Sequence, residues 1–283
     1  MTSAPSRLTP RLERAGAGFA QGWNRIGEQT QFYGKTIASI GDAIIHYRTQ
    51  VATLVAQMSM GSGALAVVGG TIVIIGFLTL SAGALIAVQG YNTLAGVGVE
   101  ALTGFTSAYL NVRIIGPLTT GIGLAATIGA AATAQLGAMR IAEEIDALEV
   151  MGVRAIAYLA STRVLAGVIV VVPLYCAAVL MSFVAARLGT TGIYGQSTGV
   201  YDHYFNTFLN PADLLWSFLQ TGVMALAVMV IHTYYGFTAT GGPAGVGQAV
   251  GRAVRASLIV VVFVTLVISL SVYGQSGNFH LSG

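Results

Sequence analysis

The densest chemistry in the chain is a run of acids. Glu143, Glu144, Asp146 and Glu149 place four of the ten acidic residues inside Arg140–Gly152, near the middle of 283 residues. On a helical wheel Ile141, Ile145 and Leu148 form one narrow stripe, closed by Gly152. Glu143, Asp146 and Glu149 lie opposite, with Glu144 on the flank and Ala147 between them. Such a face can meet a basic partner surface, or it can be the solvated side of an ordinary loop helix. A helix this short gains little from propensity alone. Its apolar stripe therefore needs a surface, either the ends of neighbouring helices or a partner's groove. Gly152 suits the residue that ends it.

The other residue types capable of chemistry do not assemble. His46, His203, His232 and His280 are far apart and show no ligand spacing, so no metal site is expected. His232 falls at the inner end of an apolar run beside Tyr234 and Tyr235 and reads as an interfacial hydrogen bonder. Cys176 is the single cysteine and reads as a buried small hydrophobe. Gly34-Lys35-Thr36 resembles the end of a phosphate-binding loop, but Gln29 stands where the earlier glycine is required and no strand pattern precedes it. No nucleophile–base arrangement is present, and the basic residues form no stripe suited to nucleic acid. The reading is a non-catalytic chain.

What must hold the acidic stretch is a membrane frame. The chain is 55% hydrophobic and 8% charged, against about 25% charged in an average soluble domain. The expected class is an all-α polytopic membrane protein. Five runs are long and apolar enough to span: Ala64–Gln89, Ile114–Leu136, Leu159–Ala186, Leu214–Tyr234 and Ala253–Tyr273. Pro173 predicts a kink in the third. Residues 1–18 read as a flexible tail, 19–57 as an interfacial amphipathic helix region rich in aromatics, with a soluble amphipathic helix on a partner as the alternative, 58–275 as the membrane domain and 276–283 as an external tail. With the N-terminus cytoplasmic, eleven Lys/Arg residues fall on the inner side and only Arg113 and Arg187 on the other. That places Arg140–Gly152 in the cytoplasm and the C-terminus outside. Tyr201–Phe208 predicts a short helix on the outer surface, and Asn210-Pro211-Ala212-Asp213 carries the residues of a helix start.

Small residues mark the helix contacts. Gly69, Gly76, Gly83 and Gly90 are spaced by seven, and Ala125, Gly129, Thr133 and Gly137 by four. Both patterns predict faces where helices approach closely, within the chain or across a dimer. A groove wall along which a lipid chain or a moving helix slides is the functional alternative.

The run Glu143-Glu144-Ile145-Asp146-Ala147-Leu148-Glu149-Val150-Met151-Gly152, followed by Tyr158-Leu159 and Arg163-Val164-Leu165-Ala166, strongly resembles the MlaE/YrbE permeases, membrane subunits of ABC-type lipid transporters that work with MCE-domain proteins. Gln89-Gly90-Tyr91, Gly116-Pro117-Leu118, Tyr234-Tyr235-Gly236 and the glycine-rich Gly241–Gly247 match in order, over about residues 60–275. The resemblance implies a transmembrane core of two such subunits in the bacterial inner membrane. Two ATPase chains would bind ATP and Mg²⁺, and MCE proteins would form the external lipid path. This chain would hold no cofactor of its own. It implies that Glu143, Glu144, Asp146, Ala147, Leu148, Glu149 and Gly152 form the helix that couples the ATPases to the spans.

The departures from that family are specific. It usually carries Glu, Arg and Glu where this chain has Ile114, Ile128 and Gln135. Charges within spans are costly and usually functional. Their loss predicts the more degenerate, B-type member of a pair, in a heterodimer with a second YrbE-type permease as in actinobacterial MCE systems. Two other classes compete: a carrier or channel driven by an ion gradient, and a membrane scaffold that transports nothing. The former would want ionisable residues in the span cores.

Overall fold

A computed structural model describes residues 23, 26–60 and 70–273. Gly69, both terminal tails and residues 64–69 of the expected first span lie outside the described residues. Among the described residues there are ten helices and no strand. Three short ones come first: α1 (26–38), α2 (Ile40–His46) and α3 (Arg48–Met60). The expected interfacial segment is thus broken at Ser39 and Tyr47. Then follow α4 (Thr71–Ala95), α5 (Glu100–Ile141), α6 (Glu144–Val150), α7 (Ile156–Ile193), α8 (Thr198–Phe208), α9 (Pro211–Phe237) and α10 (Gly242–Val272). Five of these, α4, α5, α7, α9 and α10, are long and apolar enough to cross a membrane.

The spans alternate in direction. One end of the bundle carries α1–α3 and the acidic α6, and the opposite end carries α8. α7 packs on α4 and α9, α9 on α10, and α5 against all four. Ile75, Leu124, Ile128, Val164, Leu174, Met224, Met229 and Val261 make the main core. In lipid the outward faces are apolar too, so burial rather than hydropathy separates core from periphery. Cys176 illustrates this. It is exposed on the outside of α7, not buried, because a lipid-facing position suits a small apolar side chain as well as a core one.

Four of the spans, α5, α7, α9 and α10, run longer than the sequence predicts. α5 has 42 residues and α7 has 38. At 1.5 Å per residue α5 reaches about 60 Å, twice the roughly 30 Å apolar thickness of a bilayer. It starts at Glu100, not Ile114, so Arg113 lies inside the helix. Hydropathy misses this part because it is polar, yet several of its polar groups bond within the helix. Thr103 Oγ1 donates to the Glu100 carbonyl at 2.7 Å, and Asn111 Nδ2 to Ser107 Oγ at 3.1 Å. Two turns of α5 are widened to π geometry, Asn111–Ile115 and Ala125–Gly129. Pro117 follows the first of them, where its missing N–H and its ring disturb a normal turn. The start of α9 has the chemistry its sequence carries, with Asn210 Oδ1 accepting from the Ala212 N–H at 2.9 Å ahead of Pro211.

The glycines lie where helices touch. A Cβ on Gly83 would sit 2.3 Å from the Ser182 carbonyl oxygen, and one on Gly76 2.8 Å from Met181 Sδ. Both therefore face α7. Gly90 faces Thr103 and Thr106 of α5 with ordinary spacing, so the seven-residue stripe serves two different neighbours. On the other face of α5, Gly129 lies under the His232 ring and Gly137 under Val246.

Candidate functional site

α5 ends at Ile141, and the chain turns sharply through Ala142 and Glu143. Glu143 has φ +60°, uncommon for a residue with a side chain. Its carbonyl then accepts from the Ala147 N–H at 3.0 Å, opening α6. Glu144 and Asp146 occupy the first turn of α6, where negative charge complements the helix dipole. The far end closes with two bonds: Val153 N–H to the Leu148 carbonyl and Gly152 N–H to the Glu149 carbonyl, both 3.0 Å. This is a Schellman cap, and Gly152 supplies its left-handed residue at φ +79°.

α6 is mounted by one side chain above all. Ile145 is fully buried among Leu136, Ala155 and Leu159, with Met139, Leu148, Tyr158 and Phe237 packed around them. Ile141 does not join this stripe. It ends α5 and is 38% exposed, because the corner at Glu143 breaks the helical register assumed for Arg140–Gly152. The acidic face is also not uniformly free, since Arg140 donates to Asp146. Glu143, Glu144, Ala147 and Glu149 are exposed. So are Val150 (89%) and Met151 (69%), which the wheel did not single out. Beside the acids they give α6 an apolar tip, a signal available in the sequence as two bulky apolar residues just before the capping glycine.

The segment after α6 is gripped by the N-terminal helices. Arg154 Nη1 donates to Asp42 at 2.7 Å, and Ser161 Oγ to the Thr36 carbonyl at 2.8 Å. The Tyr47 and Tyr158 rings meet edge-to-face at 5.2 Å, and Phe32 packs against Tyr234 and Phe237. Gly34-Lys35-Thr36 lies within α1 rather than in a loop.

His232 is fully buried instead of interfacial. Its Nδ1 lies 2.7 Å from Thr133 Oγ1 and its Nε2 3.2 Å from Ser257 Oγ, joining α5, α9 and α10. Gly129 makes room for the ring. Arg163 is likewise buried near the start of α7, donating to the Leu159 carbonyl at 3.0 Å. Both sit near the acidic-helix end of their spans, away from the midsections. Toward the other end Arg113 pairs with Asp213 at 2.7 Å, both largely buried, and lies over the Tyr109 ring. Asp213 therefore links α9 to α5 as well as standing at a helix start.

At the opposite end α8 is held close to the spans. Gly104 of α5 leaves no room for a Cβ against the Tyr201 carbonyl. Burial pushes the Tyr201 phenol up to about 12. Arg187 donates twice to the Asp202 carboxylate, which lowers its pKa below the usual carboxylate range. Nearby, α4 and the start of α5 enclose a groove of about 420 Å³. Leu85, Ile86, Leu94, Leu110 and Ile115 make it apolar, and Gln89, Gly90, Thr93 and Thr106 supply its few polar groups. Of the described glycines singled out in the sequence, only Gly90 lines this groove; Gly76, Gly83, Gly129 and Gly137 sit in helix contacts.

Among the described residues no group of histidine, cysteine, aspartate and glutamate could hold a metal ion. Five spans, a firmly mounted helix projecting from one end and an apolar groove near the other define a helical membrane transport subunit. The chain belongs to the MlaE permease family, matching it over residues 60–271. It is 28% identical to a probable ABC transporter permease protein of Rickettsia bellii, over 66% of this chain and 73% of that one. It is 25% identical to the intermembrane phospholipid transport system permease protein MlaE of Haemophilus influenzae, over 68% and 74%. The chloroplastic protein trigalactosyldiacylglycerol 1 of Arabidopsis thaliana is 27% identical over 69% of this chain and 56% of its own length.

Proposed function

We propose that this chain is half of the membrane core of an ATP-driven lipid transporter, with α6 as the element on which a separate ATPase subunit docks. The observation that carries the reading is the mounting of α6. A buried Ile145, a left-handed corner and a Schellman cap hold a short helix rigidly while four carboxylates and two large apolar side chains face outward. A solvated loop has no need of such a frame. The orientation that fits places α1–α3 and α6 in the cytoplasm, together with Lys35, Arg48, Arg140, Arg154, Arg163, Arg252 and Arg255. The groove bounded by α4 and α5 then opens toward the outer side, where MCE-domain proteins would continue the lipid path. Its apolar walls and neutral polar groups suit an acyl chain.

The positions Ile114, Ile128 and Gln135 support pairing with a second permease that retains charge there. Purification of the intact complex followed by mass spectrometry of its permease bands checks this: two distinct permeases are expected, and a pure homodimer would sink the idea. Docking is tested by reversing Glu143 and Glu144 to Arg together. The expected result is loss of ATPase co-purification from a permease that still folds in detergent. Unchanged co-purification and unchanged ATP-driven transport would refute the docking role.

A further inference from the structure

On the acidic-helix side of the bundle, α3, the start of α4 and the middle of α5 leave a cleft of about 600 Å³. Leu54, Met58, Ile74 and Ile128 line its apolar part, and Gln57 and Gln135 bring two side-chain amides to it. None of its lining residues is charged. Thr127 spends its hydroxyl on the Gly123 carbonyl at 2.6 Å, which leaves the two amides and the Thr71 hydroxyl as its polar side-chain groups.

Polarity changes along the α5 wall of the cleft. Gln135 lies six residues and Ile128 thirteen residues before Ile141, where α5 ends. At 1.5 Å per residue that is about 9 Å and about 20 Å along the helix. Along α5 the cleft therefore carries the Gln135 amide on its acidic-helix side and Ile128 on its deeper side, over a length that accommodates part of one acyl chain. Protein interiors seldom leave voids larger than a water molecule. Water in the deep part would find few hydrogen-bond partners, and an ion would find no counter-charge.

We propose that this cleft takes one acyl chain of a lipid from the leaflet on the acidic-helix side, with the lipid's ester group toward Gln57 and Gln135. The proposal rests on the lipid-permease reading and adds a second lipid site to the outer groove, on the same pair of spans. A second permease is a weaker fit, because the hollow is re-entrant between three elements of one chain and offers a partner helix no flat face.

The test uses the whole transporter, reconstituted in phosphatidylethanolamine–phosphatidylglycerol vesicles containing phosphatidylcholine with a diazirine-bearing acyl chain. After irradiation, labelled peptides are located by mass spectrometry. Label is expected on the peptides carrying Leu54–Met58 and Ile128–Ala131, and severalfold less of it in Ala131→Trp, which fills the cleft. Gln135→Leu keeps the volume and removes an amide; it too should reduce labelling, and it decides the matter where the larger variant fails to assemble. Undiminished labelling in these variants, or cross-links from these positions to a second permease, would overturn the proposal. ATP-driven lipid movement is followed in the same vesicles. Lipid movement without label in the cleft defeats the cleft alone, whereas label in the cleft of a complex that hydrolyses ATP and moves no lipid defeats the transport reading alone.

Discussion

Gly83 and Gly76 are one heptad apart in α4 and face the same neighbour, yet they differ in what opposes them. A Cβ at Gly83 would meet the backbone of Ser182, 2.3 Å from its carbonyl oxygen, whereas one at Gly76 would meet the flexible end of Met181. Backbone cannot step aside without moving α7, but a methionine side chain can turn. Gly83→Ala is expected to cost about 1–3 kcal/mol and Gly76→Ala less than about 1 kcal/mol, read from denaturant or thermal unfolding in detergent. Equal costs would show that the two helices adjust as bodies. The seven-residue spacing announces both glycines and cannot rank them, because the ranking depends on which atom of α7 lies opposite.

At the scale of elements, α6 shows what the sequence carries and what it conceals. The acids, the buried Ile145 and the capping Gly152 are all legible, since each follows from residue type and helical spacing. The corner at Glu143 is not, because nothing in the residue itself announces a left-handed backbone. That corner removes Ile141 from the apolar stripe and turns α6 across the end of the bundle. The same limit governs the spans. Their apolar middles are plain, but α5 begins fourteen residues before Ile114, since a polar helical turn that bonds to its own carbonyls looks like a loop to a hydropathy count. His232 and Arg163 are a related case: burial of a polar side chain depends on neighbouring helices, here Thr133 and Ser257 around the histidine, that lie far away in sequence. Within α6 the Schellman cap gives a direct test. At φ +79° a side chain costs about 1–2 kcal/mol, so Gly152→Ala should fray the helix end. Faster hydrogen exchange at the amides of Gly152 and Val153 is the expected readout, and unchanged exchange would show that Ile145 alone fixes the element.

At the scale of the molecule, the N-terminal helices connect two places that lie apart in the sequence. α1 and α2 hold the segment after α6 through Thr36 and Asp42, and Tyr47, at the break before α3, stacks edge-to-face on Tyr158. α3 then packs on α7 and lines the cleft beside α4 and α5. A displacement of α6 by a docked ATPase would thus reach α3 through contacts already in place. The Arg154–Asp42 pair is partly exposed and contributes at most about 1 kcal/mol. The ring pair is the stronger tie, at about 0.5–1.5 kcal/mol beyond the area it buries. Tyr158 also packs on the Ile145 cluster, so Tyr47→Ala is the variant that should leave the five spans folded and the ATPase bound while loosening α3. In the reconstituted transporter the expected outcome is ATP hydrolysis near the unmodified rate with severalfold less lipid moved per ATP. If hydrolysis and lipid movement fall together, the ring pair serves docking or folding, and movement reaches the spans by the direct path from Ile145 through Leu136 and Leu159.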